Sequence, residues 1–424
     1  MGCIGVGYMG KLNTFGFNQM RDVCDIAAIC DVDSKYGLES TLANKELGTK
    51  RDDTITPPDA YKEYQRILDR KDIDAVCIST VDHWHTKIAI EALQAGKHVF
   101  CEKPLTLTLE ENQLIRKACK KYPNLVFGVD TWQRSRKDLF MTAVLMVQHG
   151  FLGKLTNIVC NLGPGLTSEP VPEAPVPDSL DWNLWQGPVP TTAYRHNFIE
   201  SHGKQVEQTR AHDKFRWWYE YSGGKFTDWG AHNIDIALWA LGLQTRGTGP
   251  VSIDGTHTTH PVPFKDGYPT VNDRYNTCVD FDIPVAFDDG FVMHVVSSSS
   301  DGNGGILFEG EKGKIHVNRM RIKGKPYEEL PPNTFKEEEY IKLYGGKPVE
   351  GHKYNFTRCI RQGGLPASDV ETHLLTMNVC HVCAIAARLG RKVQWDPKTE
   401  SIVGDEQAAT FATRERRKEF EIHV

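Results

Sequence analysis

The sequence predicts two α/β parts: a parallel sheet wrapped by helices, then an α+β domain with a large, mostly antiparallel open sheet. Three observations carry this. Short apolar runs alternate with helix-length segments over about the first 130 residues, as in a parallel sheet with helical crossovers. A glycine-rich turn follows the first apolar residues. After Gly150 the pattern becomes consecutive strand-like runs joined by Asp-Asp-Gly and Lys-Gly turns, which signals antiparallel pairing.

The first strands are expected at the opening apolar residues and at Ile26 to Cys30, Ala75 to Ser79, Val99 to Cys101 and Val126 to Val129. Helices such as Lys87 to Ala95 and Leu109 to Lys121 separate them. In the second part, strands are expected at Tyr275 to Ile283, Gly290 to Ser298, Gly305 to Glu309 and Lys314 to Val317. Residues 164–190 hold 7 of the 22 prolines, too many for a helix or a central strand. A long irregular segment of this kind is a binding loop or lid, or else disordered. Glu371 to Leu389 reads as a helix.

Composition narrows the function classes. The 424 residues, with 55 acidic and 50 basic side chains and a net charge of −5, lack the clustered basic footprint of a nucleic-acid binder. No run of 18 apolar residues is present, so no membrane partner is expected. The 11 cysteines are an odd number, and Cys3, Cys30, Cys77 and Cys101 sit in apolar runs, where a thiol acts as a small hydrophobe. A reducing compartment, the cytoplasm, is the expectation. Cys380 and Cys383 lie on the predicted C-terminal helix without a second pair, so no metal is expected there.

Gly5-Val6-Gly7-Tyr8-Met9-Gly10 matches G-x-G-x-x-G. Gly5 suits the tight turn, Gly7 the approach of a pyrophosphate, and Gly10 close helix-to-strand packing, with Tyr8 and Met9 opening the helix. Asp31 follows 21 residues after Gly10, placed to accept hydrogen bonds from the adenosine ribose. Its carboxylate opposes a 2′-phosphate, which favours NAD over NADP, although Lys35 keeps NADP open. Thr80, His83 and His85 follow the Ala75 to Ser79 run, where loops line the ligand crevice. The two histidines share no helical face and have no evident carboxylate partner, so they are expected to pack at the nicotinamide side and bond at the helix start.

Further on, Ala95-Gly96-Lys97-His98-Val99-Phe100-Cys101-Glu102-Lys103-Pro104 and Thr227-Asp228-Trp229-Gly230-Ala231-His232-Asn233-Ile234-Asp235 carry a specific resemblance. The E-K-P string and the D-x-G-x-H-x-x-D string resemble the Gfo/Idh/MocA family of sugar dehydrogenases. Leu389-Gly390-Arg391-Lys392, Trp395-Asp396-Pro397 and Gly404-Asp405-Glu406, with Gln133-Arg134-Ser135 and the proline-rich insertion, resemble its longer bacterial members. The resemblance implies a Rossmann NAD domain at 1–133 and a substrate and oligomerisation domain at 134–368 with its insertion at 164–190. A C-terminal helix and tail at 369–424 would pack back on the body. It also implies a homo-oligomer, dimer or tetramer. Longer relatives often carry an export signal ahead of the glycine motif, which weakens the cytoplasmic expectation.

The chemistry of the residues agrees. Asp228, His232 and Asp235 fall at i, i+4 and i+7, one helical face. Dehydrogenation needs a base beside the reacting alcohol, and His232 suits that at neutral pH. Lys103 can stabilise developing alkoxide charge, and Asp228 can orient the group. In the family the matching Lys, Asp and His are catalytic, and Glu102 and Lys103 adjoin the cofactor. Pro104 permits a cis bond after Lys103. Arg134, Arg216, Tyr219 and Asp235 are candidates for substrate binding, the aromatics being equally suited to a domain core.

The expected function is oxidation of a secondary hydroxyl of a sugar, cyclitol or glycoside, or reduction of the matching ketone, with NAD. A second reading is NAD-dependent glycoside hydrolysis through transient oxidation and elimination. Relatives of that kind resemble the chain around Tyr219-Glu220-Tyr221 and Gly230-Ala231-His232 but tend to carry Asn where Asp228 stands. A third is a non-enzymatic NAD-sensing regulator, which would be expected to lose Lys103 or His232.

Overall fold

Six short strands form the first sheet of the computed structural model, which describes every residue except 52–53, 202, 244–248 and 300–303, and the side chain of Arg51. They are β1 (Gly2–Ile4), β2 (Ala28–Cys30), β3 (Asp59–Tyr61), β4 (Ala75–Ile78), β5 (His98–Cys101) and β6 (Phe127–Val129). All pair in parallel in the order β3-β2-β1-β4-β5-β6. This is the doubly wound order, and its ligand crevice lies beyond the carboxyl ends of β1 and β4, where the winding reverses. Apart from β3 and the first residue of β5, every strand residue is buried, because helices cover both faces.

Helix α1 (Tyr8–Asn18) leaves the glycine turn. Helix α2 (Asp82–Gln94) follows β4, and α3 (Leu109–Lys121) follows β5. Thr108 caps α3 by accepting from the Glu111 N–H, and Glu110 and Glu111 at its start with Lys120 and Lys121 at its end match the helix dipole.

The second sheet has ten strands. Along it run Ile322–Lys323, Gly313–Val317, Gly305–Gly310, Leu155–Asn161, Val292–Val296, Asp280–Phe287, Pro250–Asp254, Lys392–Asp396 and Ser401–Val403, with His257–Thr259 also on Asp280–Phe287. Among the described residues of this sheet, only Leu155–Asn161 and Val292–Val296 pair in parallel. Helix α4 (Gly230–Ala240) and helix α5 (Val370–Leu389) pack together over one face of this sheet. Asp369 caps α5, and Gly390 ends it in the left-handed conformation at φ 61°. With 20 residues and a mean hydropathy of 1.2, α5 has the length and composition of a membrane span. Its polar side chains identify it as a core helix: His373, Asn378 and His381 meet Leu105, Asn112 and Thr106 of the first domain.

Several expectations shift. The strand expected at Tyr275 to Ile283 runs at Asp280–Phe287, where burial begins to alternate. Tyr275, Asn276 and Thr277 are instead buried beneath the Trp217 segment, whose carbonyl takes the Asn276 and Thr277 N–H groups. Strand β3 is largely exposed and carries no apolar run, so hydrophobicity did not reveal it. The proline-rich insertion is ordered as a cover. Asp181 N–H donates to the Val32 carbonyl and Ser34 N–H to that of Ser179, both at 2.9 Å. Leu180, Trp185 and Tyr194 form a small core with Phe215, Trp218 and Tyr221.

Candidate active site

The cleft beyond β1 and β2 is lined by Gly5, Gly7, Tyr8, Met9, Asp31 and Thr80 from the first domain, and by Trp185, Phe215 and Arg216 from the second. Gly5 sits at φ +79°, and a Cβ there would lie 2.6 Å from the Thr80 nitrogen. A Cβ on Gly10 would lie 1.9 Å from the Gly5 carbonyl oxygen, so the helix approaches only with glycine there. A Cβ on Gly7 would meet only the Tyr36 ring within 4 Å, which leaves its backbone open to the cleft. These features fit a dinucleotide with its pyrophosphate at the start of α1.

Asp31 accepts the Val6 N–H at 2.8 Å and the Asp33 N–H at 2.9 Å. Burial pushes its carboxyl up to about 6 against these bonds. Asp31 thus ties the glycine turn to the end of β2 while keeping lone pairs for ribose hydroxyls. Asp33 is spent on the turn that follows, accepting from Lys35 and Tyr36.

At the far end, β5 delivers Glu102 and Lys103, followed by a cis peptide bond to Pro104. Lys103 Nζ donates to Asp228 Oδ1 at 2.6 Å and to the Asp228 carbonyl at 3.2 Å. Arg216 Nε stands 3.5 Å from the same carboxylate oxygen. Burial by itself raises the Asp228 carboxyl, but the Lys103 ammonium and the Arg216 guanidinium outweigh it and hold the group well below its ordinary value. Asp228 is therefore a fixed anion. His232, one turn on, is 4% exposed, and its Nδ1 is buried without a partner among the described residues. Burial first, then the charges of Lys103 and Arg319, push the imidazole well below 6.5, so it is held neutral.

A supporting layer holds the lysine loop. Asn13 donates to Glu102 Oε1 at 2.8 Å, and Glu102 Oε2 takes the Lys103 N–H at 3.1 Å. Burial, then the Asp130 carboxylate, raises the Glu102 carboxyl far above its usual range. Asp82 accepts from Ser222 at 2.6 Å, and burial lifts it to about 6.

Several expected binding residues have other work. Arg134 and Asp235 face each other through two bonds of 2.6 and 2.7 Å, with side chains 3% and 1% exposed. Thr376 donates to Asp235 and Arg134 donates to the Ala367 carbonyl, so the pair is buried and engaged inside the body and does not face the cleft. The helical face assigned to Asp228, His232 and Asp235 divides: Asp228 ends the short helix Lys225–Asp228, and Asp235 turns inward. Tyr219 is buried, its hydroxyl 3.2 Å from His260 Nε2 and its ring 5.0 Å from the Arg388 guanidinium. It belongs to a core and not to the site.

His83 and His85 are both buried and do not line the cleft. His83 Nε2 is 2.9 Å from the Trp185 carbonyl, tying α2 to the insertion. His85 spans the Thr80 and Pro104 carbonyls at 3.1 and 2.7 Å, bracing the lysine loop. Burial lowers them to about 3 and about 4. No group of three or more metal-ligating side chains occurs among the described residues, and Cys380 and Cys383 are buried thiols raised by desolvation. Sequence reasoning did not reach Asn13, Asp82, Lys225 or Arg319, none of which lies in a spaced motif.

Comparison with known proteins assigns both halves. A model of the oxidoreductase family with an NAD-binding Rossmann fold matches residues 1–130, and one of its C-terminal α/β domain matches residues 165–422. scyllo-Inositol 2-dehydrogenase (NAD(+)) of Bacillus subtilis is 24% identical over 403 residues, covering 93% of this chain and 96% of that protein. A glycosyl hydrolase family 109 protein of Shewanella pealeana is 34% identical over 163 residues, 37% of this chain and 33% of its own length. Levoglucosan dehydrogenase of Pseudarthrobacter phenanthrenivorans is 32% identical over 155 residues, again 37% of this chain and 38% of that protein. The fold matches that of myo-inositol 2-dehydrogenase from Lactobacillus plantarum at a TM-score of 0.58 and 18% identity, over 93% of this chain and 98% of that one. With both domains matched in sequence, the chain belongs to the Gfo/Idh/MocA family of NAD-binding oxidoreductases.

Proposed function

We propose that the protein is an NAD-dependent dehydrogenase acting on a secondary hydroxyl, or the matching ketone, of a sugar, cyclitol or glycoside. The observation that carries this reading is the 2.6 Å contact of Lys103 with an anionic Asp228, one helical turn from a neutral, buried His232. Bound NAD supplies the hydride acceptor. The remaining work falls to side chains. Neutral His232 takes the carbinol proton on an imidazole nitrogen, as a general base must. The Lys103 ammonium donates to the carbinol oxygen and stabilises the negative charge that develops there. Asp228 holds the ammonium in place and accepts from a neighbouring substrate hydroxyl. Ring polyols are the substrate class because one hydroxyl reacts while others are read by such acceptors, and inositol and levoglucosan dehydrogenases among the relatives support this choice.

The test is to mix the protein with NAD and a panel of sugars, glycosides and cyclitols and follow formation of reduced nicotinamide. Accumulation with one class is the expected result. Release of reducing sugar without net reduction would instead assign the hydrolytic chemistry of the family 109 relatives. Binding of NAD with neither activity would overturn the enzyme reading. A homo-oligomer built on the half-exposed face of the ten-stranded sheet belongs to the same proposal, and sedimentation velocity measures it.

A further inference from the structure

Arg319 reaches the catalytic centre from the turn between Gly313–Val317 and Ile322–Lys323. Its guanidinium lies 4.7 Å from the ring centre of Trp132 and 4.3 Å from that of Trp229. Its Nε–H donates to the Gln133 amide oxygen, and the Gln133 amide nitrogen donates to the His232 carbonyl, each at 3.2 Å. Two indole faces fix the guanidinium plane without supplying a formal counter-charge. Lys225 is the second such group: half-buried, its ammonium stands 5.7 Å from the Trp217 ring centre. Among the described residues neither cation has a carboxylate partner, and burial lowers both.

Asp228, the carboxylate shared by this cluster, already carries Lys103 and Arg216. Asp228, Glu102 and Asp130 act on Arg319, and Asp228 on Lys225, only through space, so among the described residues each cation keeps donors that no carboxylate contacts. Both cations are partly buried, and donors held there against aromatic rings without a carboxylate in contact are available for a ligand to pair. Resting on the dehydrogenase reading above, we propose that the substrate carries an anionic substituent, a carboxylate or a phosphate, bound by the guanidinium fork of Arg319. Lys225 adds to the field that draws it in. The planar fork between two rings suits two-point recognition of such an oxyanion.

The experiment compares matched sets of a neutral hexose, its uronate and its 6-phosphate, in the gluco, galacto and manno series, with the NAD-loaded protein. The expected result is kcat/KM higher for one anionic form by at least about tenfold, the range for a charged hydrogen bond, and the preferred form identifies carboxylate or phosphate. In Arg319→Gln the ratio of anionic to neutral kcat/KM falls toward one, Lys225→Gln lowers it less, and Arg319→Lys retains part of it. A wild-type ratio at or below one for both anions, or a ratio unchanged in Arg319→Gln, would overturn the proposal. If no sugar is oxidised, the dehydrogenase reading fails by itself. Tryptophan fluorescence of the NAD-loaded wild type, titrated with the same sugars, then decides the anion site. A saturable change with an anion only, weakened by chloride, supports it, and no such change rejects it.

Discussion

His232 owes its role to its neighbours. An exposed histidine titrates near pH 6.5 and would lose half its base there, but burial and the Lys103 and Arg319 charges keep this one neutral to lower pH. The log of kcat/KM for oxidation should therefore stay flat through pH 6.5. An inflection at that pH, absent in His232→Gln, would show that the imidazole titrates normally. His232→Ala and Lys103→Ala should each slow turnover at least about a hundredfold, the lower range for lost general acid-base catalysis, and near-wild-type rates would remove them from the mechanism. These residues were legible in the sequence because each sits in a spaced motif. Arg319 was not, because an arginine in a turn between strands has no local mark, and only the closing of the second sheet brings it against Trp132 and Trp229.

At the scale of elements, the site is held by the join between α4, α5 and the lysine loop. The Arg134–Asp235 pair is central to that join, bonded at two points and held further by Thr376 and the Ala367 carbonyl. Arg134→Met leaves Asp235 buried without its partner and should cost about 3–5 kcal/mol, whereas the double variant with Asp235→Leu should recover much of that loss. Denaturant unfolding of the three proteins measures both, and a double variant as unstable as the single one would refute the account. The proline-rich insertion makes a second join. Its Trp185 lines the cleft beside the glycine turn and Asp31, stacked at 4.7 Å on Trp182. Trp185→Ala should raise the KM for NAD about tenfold, equivalent to about 1.4 kcal/mol, with a smaller effect on kcat. The proline count argued against a helix in this segment, yet its proline-free stretch forms one, Trp182–Gln186 capped by Asp181, and the segment's destination rests on backbone pairing with Val32 and Ser34.

Across the whole molecule, burial of ionisable groups sets the pH dependence of stability. His83, His85, His232, His373 and His381 are neutral in the fold and depressed by burial. Unfolded, they take up protons below about pH 6.5. Their contribution is thus complete above that pH and is lost as pH falls toward their folded values, by up to about 1.4 kcal/mol per pH unit each. Asp31, Asp82 and Glu102 act oppositely, because their raised folded values favour the protonated form as pH falls. The five histidines outnumber the three carboxyls, so Tm should drop from pH 7 to pH 5. A Tm constant over that range would mean that these histidines are hydrated and protonated in the folded state.

The amino-acid sequence by itself determined the parallel sheet, apart from β3, and the glycine turn with Asp31, and it marked Lys103, Asp228 and His232 as candidates. Each of these residues sits in a short spaced motif, an apolar run, a glycine turn, E-K-P or one helical turn, while the meeting of Lys103 with Asp228 across 125 positions belongs to the fold. The tertiary structure decided which charges are paired and which are left open. It turned Arg134 and Asp235 inward, set His83 and His85 as braces, placed Tyr219 in a core, and brought Arg319 beside His232. Some of these contacts, such as Arg134 with Asp235 and His83 with the Trp185 carbonyl, join residues about a hundred positions apart, and a polar group carries no sequence mark of the partner that the fold will bring to it.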